Sequence, residues 1–395
     1  MRAVLFLSAA LFATPAIAQN AQYNLRDTTA VTNVTVGSAQ DVGATAVASG
    51  NVVSAVTEDT TTTHTNSQHN DGDTAAEANA TVWHADGTVA ITSAAVANGA
   101  TAEVTNSTVD INSEQLAHGD ASAVTRFTGG NAADAATSAS ASGNVGAVSA
   151  QNSEVRLIAN QESTGSISAA TEADHCCVSG QAVSGAIASA NNLTVGGETS
   201  TILTDTRQTA TGANVSARVD LYAGYSTDAS GNATANANSV TIDNQWGYVN
   251  ARIDQRATAN VDASSYVTLG GDFLGFASSG AYGVGNQAIV SNVGSDTVMD
   301  VTQDNAGDIS ANAATAGEGG VMALASSAAY GNSVSGSLCA YCDTNVPSLQ
   351  ASADQTNSGD VRATATVNTP RAATVGATAT AIGNAATYQV RGPGH

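Results

Sequence analysis

Lysine is absent from this 395-residue chain. All positive charge rests on 11 Arg, against 33 Asp and Glu, and the formal net charge is −22. Nucleic acid is therefore a poor partner, because phosphate binding needs clustered Lys and Arg. Aromatic residues make up 4% of the chain and Pro only 4 residues. Leu and Phe are sparse, so a conventional thick core is excluded, and the Ala and Val that remain can fill only a thin interior. Intrinsic disorder would suit such a polar composition. The scarcity of Pro, the abundance of Val, Thr and Ile, and a regular internal period all argue against it.

Apolar runs are short. The longest is Val4 to Ala13, after Arg2 and before Pro15 and the small-x-small site Ala16-Ile17-Ala18. This reads as a secretory signal peptide over 1–18, too short for a membrane span. Residues 19–395 are then expected to form one repetitive β-solenoid, because composition does not change along the length. The chain is expected to be exported.

What is present is a period. Gln followed four residues later by a small residue, often Gly-Asp, recurs at Gln68, Gln115, Gln161, Gln208, Gln255, Gln303 and Gln355. Such self-similarity marks a stacked repeat architecture. A second phrase, centred on Gly-Asn, alternates with it: Gly50-Asn51, Gly143-Asn144, Gly231-Asn232, Gly285-Asn286, Gly331-Asn332 and Gly383-Asn384. It reads as a turn, with Gly supplying positive φ. The longer intervals from Asn232 to Gln255 and from Asn332 to Gln355 suggest a six-residue insertion in each. Between the phrases, stretches such as Ala44-Thr45-Ala46-Val47-Ala48 alternate with period two, the mark of a strand. The expected fold is all-β: a β-solenoid (β-helix) of about eight 47-residue units, with roughly two coils of about 23 residues in each. At about 4.8 Å per coil, some sixteen coils would make a rod of roughly 75 Å. Stacked Asn, Gln and Thr would form side-chain ladders.

The candidate chemistry is thin. Four Cys form two close pairs, Cys176-Cys177 and Cys339-Ala340-Tyr341-Cys342. In an oxidising compartment a Cys339–Cys342 bridge stapling the inserted loop is the favoured reading. A redox CxxC or a shared zinc site are the alternatives. Cys176-Cys177 is left open between a vicinal bridge, free thiols and an interchain bond. The Gly-Asp pairs lack the Gly-Gly-x-Gly-x-Asp calcium rhythm, so exposed turn carboxylates are favoured. Trp246 and Tyr248, in Gln245-Trp246-Gly247-Tyr248, are candidates for polysaccharide or partner contact, although packing on the rod is the blander reading. Trp83, Tyr222, Tyr225 and Tyr266 carry the same choice. No catalytic grouping stands out, the six His lack a metal-binding spacing, and no cofactor is expected.

The Lys-free, Ala/Thr/Asn-rich chain with its Gly-Asn and Gln-x₃-Gly-Asp phrases resembles the holdfast anchor protein D (HfaD) family of stalked alphaproteobacteria. The resemblance runs from Ala16-Ile17-Ala18 to Gly383-Asn384. It implies a non-enzymatic protein of the cell surface, outer-membrane associated and polar, that anchors an exopolysaccharide adhesin (holdfast) to the envelope. It also implies a curlin-like companion subunit and an outer-membrane curli-type secretion protein as partners. Two other functions compete with it. One is a filament-forming, curlin-like or adhesin subunit that contacts surfaces directly, and the other a β-helix enzyme acting on polysaccharide.

Overall fold

The computed structural model describes residues 16–273, 275–339 and 346–392. The described residues are all-β, with no helix. Each repeat forms three strands, and corresponding strands of successive repeats stack in parallel to build three long faces. The first face is made of Ala16–Asn24, Thr61–Asn70, Thr108–Ala117, Glu154–Ser163, Thr201–Ala210, Val249–Ala257, Thr297–Asn305 and Leu349–Asn357. The second face begins with Thr28–Ala39 and the third with Val42–Glu58. In the fourth and fifth repeats these two faces are joined in single strands, Ile167–Glu198 and Asn214–Gln245.

The solenoid expectation holds, but the coil count does not. Ala16 pairs with Thr62, Glu154 with Thr201, and Thr297 with Leu349, one whole repeat apart. Two coils per unit would place partners half a repeat apart. Each unit is therefore one three-sided coil, and eight coils stack rather than about sixteen. At about 4.8 Å per step the stack is roughly 34 Å long. The Gln and Gly-Asn phrases do not mark successive coils. They face each other across the interior of the same coil.

The Gly-Asn phrase is also not a turn. Ser49-Gly50-Asn51 lies inside Val42–Glu58. The pairing runs from Ser49↔Val96 to Asn51↔Asn98 and skips Gly50 and Ala97, so the strand bends there. A Cβ on Gly50 would lie 2.6 Å from the Ala97 carbonyl. The bend leaves no room for a larger side chain, and positive φ plays no part.

The bend turns each Asn inward. Asn51, Asn98, Asn144, Asn191, Asn238, Asn286, Asn332 and Asn384 form a continuous ladder, each Nδ2 donating to the next Oδ1 at 2.8–2.9 Å. The fifth rung is Asn238, not Asn232. Counted from Asn238, the fifth repeat has no insertion. Glu198 pairs with Gln245 and Ile202 with Val249, so Trp246-Gly247-Tyr248 replaces Thr199-Ser200-Thr201 residue for residue. The other insertion is real. Cys339 pairs with Val293 and Leu349 with Thr297, so the extra residues fall between Cys339 and Leu349.

A second ladder stands opposite. It starts one rung earlier than the phrase suggested, at Gln22, and runs through Gln68 to Gln355, with each Nε2 donating to the Oε1 of the preceding coil at 2.7–2.9 Å. The two ladders brace each other. Gln208 Nε2 donates to the Ser239 carbonyl, and Asn191 Nδ2 donates to the Thr209 carbonyl. Each amide between the end rungs Gln22 and Asn384 thus satisfies both of its donors, as burial demands. The ladders run in opposite senses along the axis, so their dipoles oppose.

The ladders divide the interior. One core, mostly Ala, lies between the second face and the front of the third, as in Ala78, Ala123, Ala186, Ala217 and Ala263. The other, rich in Val, Ile and Leu, lies between the first face and the rear of the third, as in Val109, Leu157, Ile202, Ile242 and Ile253. The corners carry backbone locks. Asp73 Oδ1 accepts from the Asp120 amide at 2.9 Å, and Asp120 Oδ1 from the Ser166 amide at 2.7 Å. The Gly-Asp carboxylates are therefore caps on the next coil.

Candidate functional site

The second face presents a row of polar and aromatic side chains to solvent. Period two puts Thr125 and Phe127 inside and Arg126 and Thr128 outside. Parallel register then aligns Arg126 with Glu172, Glu172 with Asp220, and Asp220 with Tyr266. Beside them run Thr128, Asp174, Tyr222 and Thr268. These residues line a shallow depression of about 350 Å³.

Electrostatics hold the row in order. Arg126 Nε donates to Glu172 at 3.1 Å, and its Nη1 pairs with Glu77, so one guanidinium links three coils. Arg218 Nε bonds Asp220 at 2.6 Å and lies 5.8 Å from the centre of the Tyr266 ring. That hydrogen bond raises the Arg218 pKa further, so its charge is permanent. Asn312 Nδ2 donates to the Tyr266 hydroxyl at 2.8 Å. Tyr222 and Tyr225 are exposed. Amphipathic rings fixed on a rigid sheet can pack on sugar faces, with carboxylates and guanidinium groups placed for hydroxyls or charged substituents. Sequence reading left these Tyr residues scattered. The 47-residue register is the signal that gathers them.

Trp246 sits at a different place, the corner between the third face and the next first face. It has φ 62°, in a column whose other members include Asp59, Asn106, Asn152 and Thr199. A bulky side chain in this left-handed region is rare. The indole is 48% exposed and lies over Gly294 of the next coil, where a Cβ would come within 2.4 Å of the ring. Trp246 thus packs on the rod while showing half its surface. Tyr248 is half-buried beside it.

Cys176 and Cys177 are bridged to each other. Around them the pairing passes from His175↔Ala223 to Cys177↔Tyr225 in unchanged register, and the register shifts just beyond, between Val178 and Gln181. His175 beside them is buried against Phe127, 5.6 Å between rings, and burial lowers its pKa to about 4. Cys339 ends its third-face strand, half-buried. Cys342 falls outside the described residues, as does most of the expected signal peptide. Cys339 lies three coils from Cys176 and Cys177, not seven, and on a different face.

The family model for holdfast attachment protein D matches residues 36–308, a span that holds the second-face row and most of both ladders. The chain belongs to that family. No curated protein and no solved structure matches it. Membership gives the chain a holdfast-related adhesion role at the cell surface or envelope, as a structural protein involved with the holdfast polysaccharide.

Proposed function

We propose that the chain is a secreted load-bearing element that anchors the holdfast exopolysaccharide to the cell envelope, with the second-face row as its polysaccharide contact. The observation that carries this is the rigid stack itself. Two unbroken amide ladders tie every coil to the next, and a solvent-facing row of Tyr, Arg and carboxylates is held in register on top. Such a body transmits force along its axis and performs no turnover. Export through the 1–18 leader, a polar position at the outer membrane, a curlin-like companion and a curli-type secretion protein complete the proposal. Trp246 and Tyr248 are proposed as a second, partner-facing contact.

Deletion of the gene is expected to shed adhesin into the medium while adhesin synthesis continues. Unchanged retention of the adhesin would overturn the anchoring role. Substituting Tyr222 and Tyr266 by Ala should weaken binding of the purified protein to isolated holdfast while leaving the β-rich circular dichroism spectrum intact.

The ladders also favour a second reading, a filament-forming subunit. Their polarity makes the first rung, Asn51, the hydrogen-bonding complement of the last, Asn384, as head-to-tail addition would require. Sedimentation showing chain-length growth with concentration would support it.

A further inference from the structure

We propose that His69, Asp71 and His118 form a surface site for one borderline divalent transition cation, with Zn²⁺ the best match to the donor set. This goes beyond the anchoring role and does not depend on it.

The coil register creates the site. Asp71 and His118 hold the same position of the first corner on successive coils, after Gln68-His69-Asn70 and Gln115-Leu116-Ala117. His69 precedes Asp71 by two residues, so both point outward from the same edge. Three donor atoms then converge. His69 Nε2 lies 2.9 Å from Asp71 Oδ1, His118 Nδ1 lies 3.0 Å from the same oxygen, and the two nitrogens are 3.0 Å apart. The rings meet edge to face, with centroids 4.7 Å apart.

This triangle suits a metal better than it suits protons. If each imidazole donates to the shared Asp71 oxygen, the two nitrogens face each other as donors at 3.0 Å with nothing to accept. A cation about 2.1 Å from each atom removes the conflict, since one centre then takes all three donor atoms and no proton stands between them. Edges near 3 Å correspond to ligand–metal–ligand angles of roughly 90°, one face of an octahedron, the arrangement of a 2-His-1-carboxylate triad. Two imidazoles and one carboxylate select Zn²⁺, Fe²⁺, Cu²⁺ or Ni²⁺ over Ca²⁺ and Mg²⁺, which take oxygen ligands.

The backbone holds the donors still. Asp71 N donates to the Asn24 carbonyl and His118 N to the Asn70 carbonyl, both at 2.8 Å. At the adjacent Gly119 a Cβ would come within 2.2 Å of the Gly72 carbonyl, so the corner is already closed tight. The side chains are 28%, 43% and 37% exposed, which leaves the remaining coordination positions open to water or an incoming oxygen ligand. A net charge of −22 without Lys raises the local concentration of cations. His84 and Asp86 offer only a pair of ligands, and no other group of three appears among the described residues.

The test is a Zn²⁺ titration of the purified, chelator-stripped full chain against a chromophoric competitor, with thermal melts in parallel. The expected result is one Zn²⁺ per chain at micromolar affinity or tighter, a raised melting temperature with Zn²⁺, and none with Ca²⁺. His118→Ala and Asp71→Asn should each weaken Zn²⁺ binding about 100-fold while keeping the metal-free melt close to wild type. His84→Ala should bind as wild type. X-ray absorption of the Zn²⁺-loaded chain should show two imidazoles. Absence of binding by the wild-type chain would overturn the site. So would equal binding by wild type and a folded His69→Ala/His118→Ala variant.

Discussion

Each coil holds two interiors of different thickness. On one side of the amide ladders Ala stacks on Ala, as at Ala217 and Ala263. On the other, Leu157, Ile202 and Ile253 fill a wider space. Ala alone has little shape with which to specify register, because a slip costs few contacts. The larger side chains of the wide core each bury more apolar area than an Ala does. The rungs between them do what neither core can. A rung shifted by one residue would strand an amide in a dry interior, so Asn and Gln impose the register that small apolar side chains leave open.

The comparison is broken most severely at a rung. Gln208 is fully buried, bonds Gln161 and the Ser239 carbonyl through Nε2, and accepts from Gln255. Gln208→Leu would leave three buried groups short of a partner. At about 1–3 kcal/mol each, the loss should exceed that of any single apolar change, and denaturant titration should show it. Gln355→Leu, at a half-buried end rung, should cost far less. Equal effects would mean the ladder is decoration. Next comes the wide core. Leu157→Ala should cost about 2–5 kcal/mol, the range for a truncated buried Leu, read from the same titration.

His175 tests the thin side by pH. Burial against Phe127 lowers its pKa from 6.5 to about 4. The unfolded chain therefore takes up the proton first as pH falls. Stability from this group is complete above pH 6.5 and declines as pH drops toward 4. The loss between pH 7 and pH 5 should be about 2 kcal/mol. His175→Phe should flatten that slope in thermal melts across the same range. An unchanged slope would assign the acid sensitivity elsewhere.

The period and the strands were legible because each repeat keeps its Gln and its alternation. The number of coils was not. Two phrases per repeat looked like two coils, yet Gln115 and Asn144 face each other across one interior, and sequence spacing does not distinguish stacked from opposed. Asn238 was missed because Gly231-Asn232 copies the phrase more closely than Ala237-Asn238 does, although the bend needs only a small residue before the Asn. The second-face row and the His69, Asp71 and His118 cluster were invisible to any motif. Their members lie close only once residues one repeat apart are read as a column, and the period that does this was present in the sequence from the start.

The finest probe of the two interiors adds the same pair of methyl groups to each. Ala263 is fully buried between Ala217 and Ala311 in the thin core. Ala251 is equally buried in the wide core, where its neighbour in the next coil is Met299. Ala263→Val adds bulk to a core built largely of Ala, whose side chains have no rotamer with which to yield. A cost of about 1 kcal/mol is expected from overpacking. Ala251→Val meets a thioether with three rotatable bonds, which can yield, so its thermal midpoint should stay near that of the wild type. If the two substitutions shift the midpoint alike, the interiors differ only in composition and not in available space, and the partition by the amide ladders would carry no mechanical meaning.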